Sequence, residues 1–228
     1  MKIAVIGHQG MLGTDLKARL EDAGHAVCSF DLPEMDITQA DQVKDGLTGA
    51  RVGLVINCAA YTAVDKAEED VEKAFAVNRD GPRHLADACT AINIPLVHIS
   101  TDYVFDGEAD KPYREDDPPN PCGVYGRSKW EGEEAVREGM AHHIIVRTAW
   151  LFGVHGPNFV KTMLRLAGER DEIKVVSDQY GCPTWSGDLA DGLAKIATHI
   201  EKNKGEIPWG TYHFCGRGYT TWHGFTEA

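Results

Sequence analysis

The stretch KIAVIGHQGMLGTDL, residues 2–16, decides the fold class. It opens with an apolar run typical of a buried strand, and Gly7, Gly10 and Gly13 then follow before an amphipathic segment begins. Glycine permits a tight turn from strand to helix and lets a diphosphate approach the backbone N–H groups at the positive end of the helix dipole. The pattern therefore predicts a strand, a phosphate-binding turn and a helix in direct succession.

The chain beyond this unit repeats the same alternation of apolar runs and amphipathic segments. Three more unalternated apolar runs occupy residues 25–31, 52–60 and 95–101. Strands that are apolar on both faces and are separated by helices indicate a parallel sheet covered on both sides, with right-handed crossovers. We therefore predict an α/β fold with a doubly wound, Rossmann-like parallel sheet.

The prediction divides the chain into a dinucleotide-binding domain, residues 1–150, and a smaller substrate-binding lobe, residues 151–228. The lobe is expected to be interleaved with the main sheet and incomplete at its C-terminal end. Before residue 150, the remaining sequence predicts a helix from about residue 70 to residue 92, a surface loop over 106–123 and a helix from Tyr125. After residue 150 it predicts helices over 159–167 and 187–202 and strands over 172–178 and 210–216. A last helix begins after Thr221.

Composition excludes several classes of function. The formal net charge of -12 and the absence of any Lys/Arg run argue against binding to nucleic acid or to an anionic membrane. No apolar run is long enough to span a bilayer, and the N-terminus begins as a strand instead of a signal peptide, so a cytoplasmic protein is expected. The 6 cysteines have no metal-ligand spacing, which predicts reduced thiols and no metal bound by cysteine.

Acidic and aliphatic residues after the second strand are candidates for the adenosine half of a dinucleotide. Asp31 lies 18 residues beyond Gly13, close to where a carboxylate accepts hydrogen bonds from ribose hydroxyls. Its charge disfavours a 2′-phosphate and so favours NADH over NADPH, although a protonated His8 would offset this repulsion. Asp36 and Ile37 either flank the adenine, or this segment caps the next helix through Asp36 or Thr38.

The ends of the third and fourth strands supply the next candidates. Ala59 and Ala60 are small enough to let a planar cofactor lie close to the strand ends, although small residues there also simply pack well. Thr101 ends the fourth strand, at the edge where open parallel sheets bind ligands, and its hydroxyl can bind a substrate carbonyl.

Tyr125 and Lys129 follow in YGRSK and lie on one face of the predicted helix, because side chains at positions i and i+4 are neighbours. A tyrosine has an ordinary pKa of about 10, and a nearby ammonium favours its phenolate. With Thr101 these residues predict a reduction in which Tyr125 protonates a carbonyl oxygen while a nicotinamide gives hydride to the carbon.

Motifs along nearly the whole chain carry a resemblance to the extended short-chain dehydrogenase/reductases and, more narrowly, to the dTDP-4-dehydrorhamnose reductase family. They are GHQGMLG, NCAAYTAVDKAE, ISTDYVFDG, YGRSKWEGE, RTAWLFG, NFVKTML and VVSDQYGCPTW. The resemblance implies catalysis by Thr101, Tyr125 and Lys129. It also implies dinucleotide contacts from the glycine loop and the AAYT segment, namely Gly10, Met11, Leu12, Ala60, Tyr61 and Thr62.

The resemblance further implies a substrate and its contacts. The substrate would be dTDP-4-dehydro-6-deoxy-L-mannose, reduced at its C4 ketone to dTDP-L-rhamnose by NADPH or NADH. Substrate contacts fall on Thr101, Asp102 and Trp150, with the segments that begin at Asn158 and at Asp178 lining the pocket. Trp150 is otherwise a core residue at a strand end. The family also leaves Mg²⁺ and a homodimer open, although no carboxylate cluster in the sequence has the spacing of a magnesium site.

Two other functions remain open at this point. An epimerase of the same superfamily would share the fold, the cofactor and the Tyr125/Lys129 pair. A dehydratase is disfavoured because related dehydratases carry Asp-Glu after the threonine, whereas this chain has Asp102 and Tyr103. The second open alternative is a regulatory module that resembles the regulatory subunit of methionine adenosyltransferase, in which a proton donor would have no use.

Overall fold

The computed structural model describes residues 1–203 and 206–228. Its main sheet has six strands, all parallel, in the order β2-β1-β3-β4-β5-β9. These strands are β1 (Lys2–Ile6), β2 (Ala26–Phe30), β3 (Leu54–Asn57), β4 (Leu96–Thr101), β5 (His143–Thr148) and β9 (Gly210–His213). The order reverses direction between β1 and β3, which is the crevice where open sheets of this kind bind ligands.

Helices cover both faces of this sheet. Helices α1 (Met11–Asp22) and α8 (Ser186–Lys202) pack in one core cluster, and α2 (Ala40–Ala50), α5 (Gly81–Ala91) and α6 (Val124–Gly139) pack in the other. The described residues also form α3 (Val64–Ala67), α4 (Val71–Phe75), α7 (Phe159–Glu169) and α9 (Trp222–Glu227). The predicted doubly wound α/β fold is confirmed.

Strand β1 shows why the sheet needs a layer on each side. Ile3 and Val5 point into one core cluster with α1 and α8, whereas Ala4 and Ile6 point into a second cluster with α2 and α5. Successive side chains of a strand point to opposite faces, so a strand without alternation buries apolar groups on both. All four residues are at most 1 % exposed, so burial on both faces explains why the run is continuously apolar.

The predicted helix from residue 70 to residue 92 is present, with one irregularity. Helices α4 and α5 are joined by a π-helical turn, Ala76–Asp80. A π turn inserts a residue into a helix and often marks a functional site. The apolar periodicity of the segment does not reveal it, because the stripe continues on both sides.

The prediction of a strand over residues 172–178 is wrong. The structure describes all of these residues, and they lie outside every strand. One backbone hydrogen bond reaches this segment, from the His223 N–H to the Val176 oxygen at 3.0 Å. The strands in this region are shorter and pair in two small ribbons, which are β6 (Leu151–Phe152) with β8 (Thr184–Trp185) and β7 (Tyr180–Gly181) with β10 (Thr220–Thr221).

The chain after residue 150 leaves the main sheet and returns to it. Strand β9 pairs with β5 at the edge of the sheet, and α8 packs in the same core cluster as α1. The proposed division into two units at residue 150 stays a prediction. Among the residues that the structure describes, no helix combines the length and the apolar character needed to cross a membrane.

Candidate active site

The glycine turn between β1 and α1 depends on the absence of side chains. Gly7 has a φ of +77°, and a Cβ added to it would lie 2.6 Å from the backbone nitrogen of Ala59. A Cβ at Gly13 would overlap the carbonyl oxygen of Gly7. Helix α1 therefore starts directly against the turn, which is the close approach that a dinucleotide-binding turn requires.

The first turn of α1 offers backbone donors for a phosphate. Gly10 is the N-cap residue, and no side chain caps this helix. Met11 and Leu12 follow it, and their N–H groups belong to the set that a helix leaves without intrahelical acceptors. The side chain of Leu12 is 6 % exposed and packs in the core, so its backbone alone faces the site. These residues fit the diphosphate of a dinucleotide.

Asp31 follows β2 and faces this turn. Its Oδ2 accepts a hydrogen bond from the Gln9 N–H at 3.0 Å, and its Oδ1 accepts one from the Leu32 N–H at 2.9 Å. The carboxylate is thus held beside the glycine turn on the ligand-binding edge of the sheet, where an adenosine ribose would lie.

The two residues considered for the adenine have local roles in the structure. Asp36 Oδ1 accepts hydrogen bonds from the Thr38 N–H at 2.9 Å and from the Thr38 hydroxyl at 2.8 Å. Ile37 is 6 % exposed and packs beneath Gly81, in the second core cluster. Helix α2 itself has Gln39 as its N-cap, so Asp36 forms a turn that precedes the cap. Contact of either residue with adenine stays a prediction.

The end of β3 is held in place by the buried side-chain amide of Asn57. Asn57 accepts a hydrogen bond from the Ala59 N–H at 3.1 Å, and its amide nitrogen lies 3.1 Å from Nδ1 of the buried His98. This bonding holds Ala59 over Gly7. The backbone of Ala60 continues along the same edge and is partly exposed, which fits a wall for a planar ligand.

The AAYT segment is held in place by hydrogen bonds from Asn78, a residue of the π turn. Asn78, which is 1 % exposed, accepts from the Tyr61 N–H at 2.8 Å and donates to the Tyr61 oxygen at 3.0 Å. The Tyr61 hydroxyl donates to Asp70 at 2.9 Å, which leaves its ring packed in a small cluster with Tyr125. Thr62 is exposed beside it.

Asn78 also positions helix α6, a role that the sequence pattern does not indicate. Its amide donates to the Ser128 hydroxyl at 3.0 Å, which in turn donates to the Tyr125 carbonyl at 2.8 Å. Gly132 lies against the Asn78 carbonyl, where a Cβ would overlap it. A lone asparagine within a helical stripe gave no signal of this role.

Tyr125 lies in the first turn of α6 and meets Thr101, the last residue of β4. Burial raises the pKa of Tyr125 to about 12, a hydrogen bond with Thr101 lowers it, and Asp102 raises it further. The ring of Tyr103 packs edge-on against Tyr125 at 5.4 Å between centroids. The phenol therefore holds its proton at neutral pH and has a hydroxyl partner, as a proton donor requires.

Lys129 lies one helical turn further along the same face and is 2 % exposed. Its Nζ donates to the carbonyl oxygen of Ile99 at 2.7 Å. Burial lowers the pKa of Lys129 to about 8, against the opposing effects of Glu133 and Cys58. The predicted tuning of Tyr125 by Lys129 is not among the causes that act on the Tyr125 pKa here, and it stays a prediction for the complex with the cofactor.

Asp102 joins this group from the short 3-10 turn that follows β4, Asp102–Val104. The Thr101 hydroxyl donates to Asp102 at 3.1 Å and accepts from the Tyr103 N–H at 3.2 Å. Burial raises the pKa of Asp102 to about 6, which brings this carboxyl closer to titration at neutral pH than an ordinary aspartate.

Trp150 lies just beyond β5 with a strained backbone. Its φ is +47°, a conformation that bulky residues rarely adopt and that is frequent at binding sites. Its ring stacks on Trp222 at 3.5 Å between centroids, and a Cβ on Gly181 would overlap the indole. This packing orients the indole, and contact with substrate stays a prediction.

Asn158 has a clear local role. It is the N-cap of α7, where its side chain accepts from the Lys161 N–H at 3.2 Å and donates to the Gly153 oxygen at 2.8 Å. Over residues 1–203 and 206–228, the structure brings no three His, Cys, Asp or Glu side chains together as a metal site.

Comparison with known proteins places this geometry in a family. The model of the family described as "RmlD substrate binding domain" matches residues 1–228. A dTDP-4-dehydrorhamnose reductase from Streptomyces griseus is 47 % identical over 96 % of this chain and 72 % of its own length.

Two solved structures agree with that match. A dTDP-4-dehydrorhamnose reductase from Clostridium acetobutylicum superposes with a TM-score of 0.93 at 41 % identity, over 100 % of this chain and 78 % of its own. The same enzyme from Bacillus anthracis, solved in complex with NADP, gives a TM-score of 0.92 at 40 % identity, over 99 % and 78 %. The chain therefore belongs to the RmlD substrate binding domain family, that of the dTDP-4-dehydrorhamnose reductases.

Proposed function

We propose that this protein reduces the C4 ketone of dTDP-4-dehydro-6-deoxy-L-mannose to dTDP-L-rhamnose with a nicotinamide dinucleotide. The observation that carries the proposal is the meeting of Tyr125, Thr101 and Lys129 at the edge of β4, next to the glycine turn, in a chain whose relatives are named as this reductase. The dTDP-sugar is the proposed partner of the site.

The chemistry assigned to Tyr125 is donation of its proton to the ketone oxygen. Its pKa of about 12 keeps the phenol protonated before the reaction. The Thr101 hydroxyl donates to Asp102 in the free protein, and it would favour the phenolate once its proton turns to Tyr125. Thr101 also orients the carbonyl. Lys129 lies one helical turn beyond Tyr125 and is the candidate to hold the nicotinamide ribose.

The residues that would hold the dinucleotide surround the glycine turn. Met11 and Leu12 present backbone N–H groups to the diphosphate, Asp31 accepts from the adenosine ribose, and Ala59 and Ala60 form the wall behind the nicotinamide half. When bound, the nicotinamide supplies the hydride. The NADP complex of the Bacillus anthracis relative supports a nicotinamide cofactor for this chain.

Asp31 favours NADH over NADPH in this proposal. Its carboxylate is fixed by two backbone N–H groups and would repel a 2′-phosphate placed at the same edge. His8 lies within the glycine turn, and its protonation would weaken this discrimination. Parallel assays with NADH and NADPH measure how far the preference extends.

The substrate side of the proposal uses Asp102, Trp150 and the α7 cap at Asn158. Asp102 is a buried carboxyl beside Thr101, and it is the only carboxyl of the Asp102–Tyr103 dipeptide, so the extra acid/base pair of a dehydratase is incomplete. This supports a reductase over a dehydratase. Mg²⁺ and a homodimer stay predictions that come from the family alone.

The test is an assay of the purified protein with the 4-keto sugar nucleotide and reduced cofactor, followed by loss of nicotinamide absorbance. Tyr125→Phe should lower kcat by at least about a hundredfold, since general acid catalysis contributes that much, and should leave the Kd for NADPH unchanged. Tyr103→Phe is the matched control, because its ring packs against Tyr125 but its hydroxyl has no assigned step.

The outcomes separate the alternatives. An epimerase would convert substrate without net loss of reduced cofactor, and a regulatory module would show no turnover. Equal kcat for Tyr125→Phe and the parent protein would rule out the assigned proton donor.

A further inference from the structure

Two thiols that take no part in the proposed reaction lie together beside the site. Cys182 is in the connection between β7 and β8, and Cys215 follows β9. Both are free, Cys182 is partly buried, and Cys215 is exposed to solvent. They are 33 residues apart in sequence, so the fold alone brings them together.

The backbones that carry these thiols are in direct contact. The Thr184 hydroxyl donates to the Cys182 oxygen at 3.3 Å and accepts from the Gly216 N–H at 3.2 Å, so one side chain ties the two segments together. Gly216 lies so close to Pro183 that an added Cβ would overlap the Pro183 carbonyl oxygen. After burial, the neighbouring Cys182 is the largest influence that raises the pKa of Cys215, so the two thiols lie near each other.

The thiol pair adjoins residues of the candidate active site. Gly181, next to Cys182, packs directly against the indole of Trp150, and the Thr184 N–H donates to the Trp150 oxygen at 3.2 Å. Asp102 is near enough to influence Cys215 electrostatically. A change in the spacing of the two segments would therefore reach Trp150.

The other four cysteines differ from this pair. Cys28, Cys58 and Cys89 pack against the core clusters of the main sheet. Cys122 is exposed, but its sulfur faces the carbonyl oxygens of Asp106 and Asn120, at 3.8 and 3.9 Å.

We propose that Cys182 and Cys215 form a redox modification site, at which disulfide oxidants such as glutathione disulfide produce an intramolecular disulfide that slows turnover. In the first step one cysteine thiolate attacks glutathione disulfide, which gives a mixed disulfide and releases one glutathione. The second cysteine then attacks the mixed disulfide and releases a second glutathione. Two protein thiols are oxidised and one glutathione disulfide is reduced, so atoms and electrons balance.

Formation of the bond would lock the two segments together. A disulfide holds its sulfurs about 2.05 Å apart and its Cα atoms within about 7 Å. It would therefore tie the segment from Gly181 to Thr184, which contacts Trp150, to the chain that follows β9. Burial, and then the neighbouring Cys182, raise the pKa of Cys215 to about 11, so its thiol is mostly protonated at neutral pH and the exchange needs oxidant in excess.

The test uses the full chain, first reduced, then incubated with excess glutathione disulfide, alkylated without reduction and mapped by mass spectrometry. The effect on turnover rests on the proposed reductase activity, whereas the bond itself does not. We expect a peptide that links Cys182 to Cys215, a loss of about tenfold or more in kcat, and recovery with dithiothreitol. The reduced protein is assayed first, so absence of reductase activity is detected separately from absence of the bond.

Variants test the assignment. Cys215→Ser should keep the kcat of the reduced parent and lose sensitivity to the oxidant, whereas Cys122→Ser should remain as sensitive as the parent. Melting curves of both variants verify that they fold. The proposal is overturned by a map without the Cys182–Cys215 link, by a link that leaves kcat unchanged, or by equal inhibition of Cys215→Ser.

Discussion

Lys129 carries a charge that its surroundings solvate poorly. Its side chain is 2 % exposed, its amine donates to the Ile99 carbonyl, and burial lowers its pKa to about 8 from an ordinary value of 10.5. Below pH 8 the amine is charged in both the folded and the unfolded chain, and a shift of this size costs about 3 kcal/mol of folding free energy. Between pH 8 and pH 10.5 the folded state releases the proton first, so the cost declines with rising pH.

Lys129→Met should therefore raise the free energy of unfolding near neutral pH, by up to about 3 kcal/mol, while it removes turnover. Methionine fills nearly the same volume without a charge. Urea unfolding at neutral pH and above pH 10.5 measures the gain, which should shrink at the higher pH. A variant that is less stable than the parent at both values would contradict the assigned cost of the buried amine.

Single residues also show what the sequence could and could not reveal. Thr101, Tyr125 and Lys129 were predictable as a group, because parallel strands end on one edge and positions i and i+4 share a helix face. Asn78 was not predictable, because its role depends on an amide that points from a π turn to Tyr61 and Ser128. Such long-range bonds leave no periodic trace in the chain.

Among the secondary-structure elements, helix α6 is positioned by a glycine. Gly132 lies in the middle of α6, where alanine would ordinarily stabilise a helix by up to about 1 kcal/mol. A Cβ here would overlap the Asn78 carbonyl, which is main chain and cannot rotate away.

Gly132→Ala should consequently lower the free energy of unfolding by about 2 kcal/mol and lower kcat as well, since α6 carries Tyr125 and Lys129. The matched control is Gly168→Ala in α7, where an added Cβ meets no atom within 4 Å and a small gain in stability is expected. Denaturant unfolding and turnover of both variants decide the point. Equal stability of the two variants would show that α6 tolerates displacement from the π turn.

Elements differ in how far the sequence predicts them. The strands of the main sheet are apolar on both faces, so β1, β3 and β4 could be predicted from continuous apolar runs in the sequence. Residues 172–178, EIKVVSD, have only three apolar side chains and no partner strand among the described residues, and a strand needs a partner to satisfy its backbone groups. Pairing is a property of the tertiary fold, which accounts for the failed prediction there.

A buried ion pair links distant parts of the molecule. Arg147 in β5 donates from Nε and Nη2 to Glu133 in α6, at 2.9 and 2.8 Å, and from Nη1 to the Glu115 oxygen in the long loop, at 3.4 Å. Glu115 in turn accepts from the His213 N–H in β9, at 3.0 Å. Burial raises the pKa of Glu133, but its bonds to Arg147 outweigh this and the pKa lies below its ordinary value.

Arg147→Met should lower the free energy of unfolding by about 3 kcal/mol, because it leaves the fully buried Glu133 with only one arginine partner, the partly exposed Arg137. Removal of both charges, in Glu133→Gln/Arg147→Met, should restore most of this loss, since the cost lies in a buried charge that has lost a partner more than in the absent contact. Arg165→Met is the surface control: it breaks the exposed pair with Glu169 and should change stability by less than about 1 kcal/mol. Denaturant unfolding of the three variants provides the comparison. If Arg147→Met cost no more than Arg165→Met, the link between α6, β5 and β9 would contribute little to the fold.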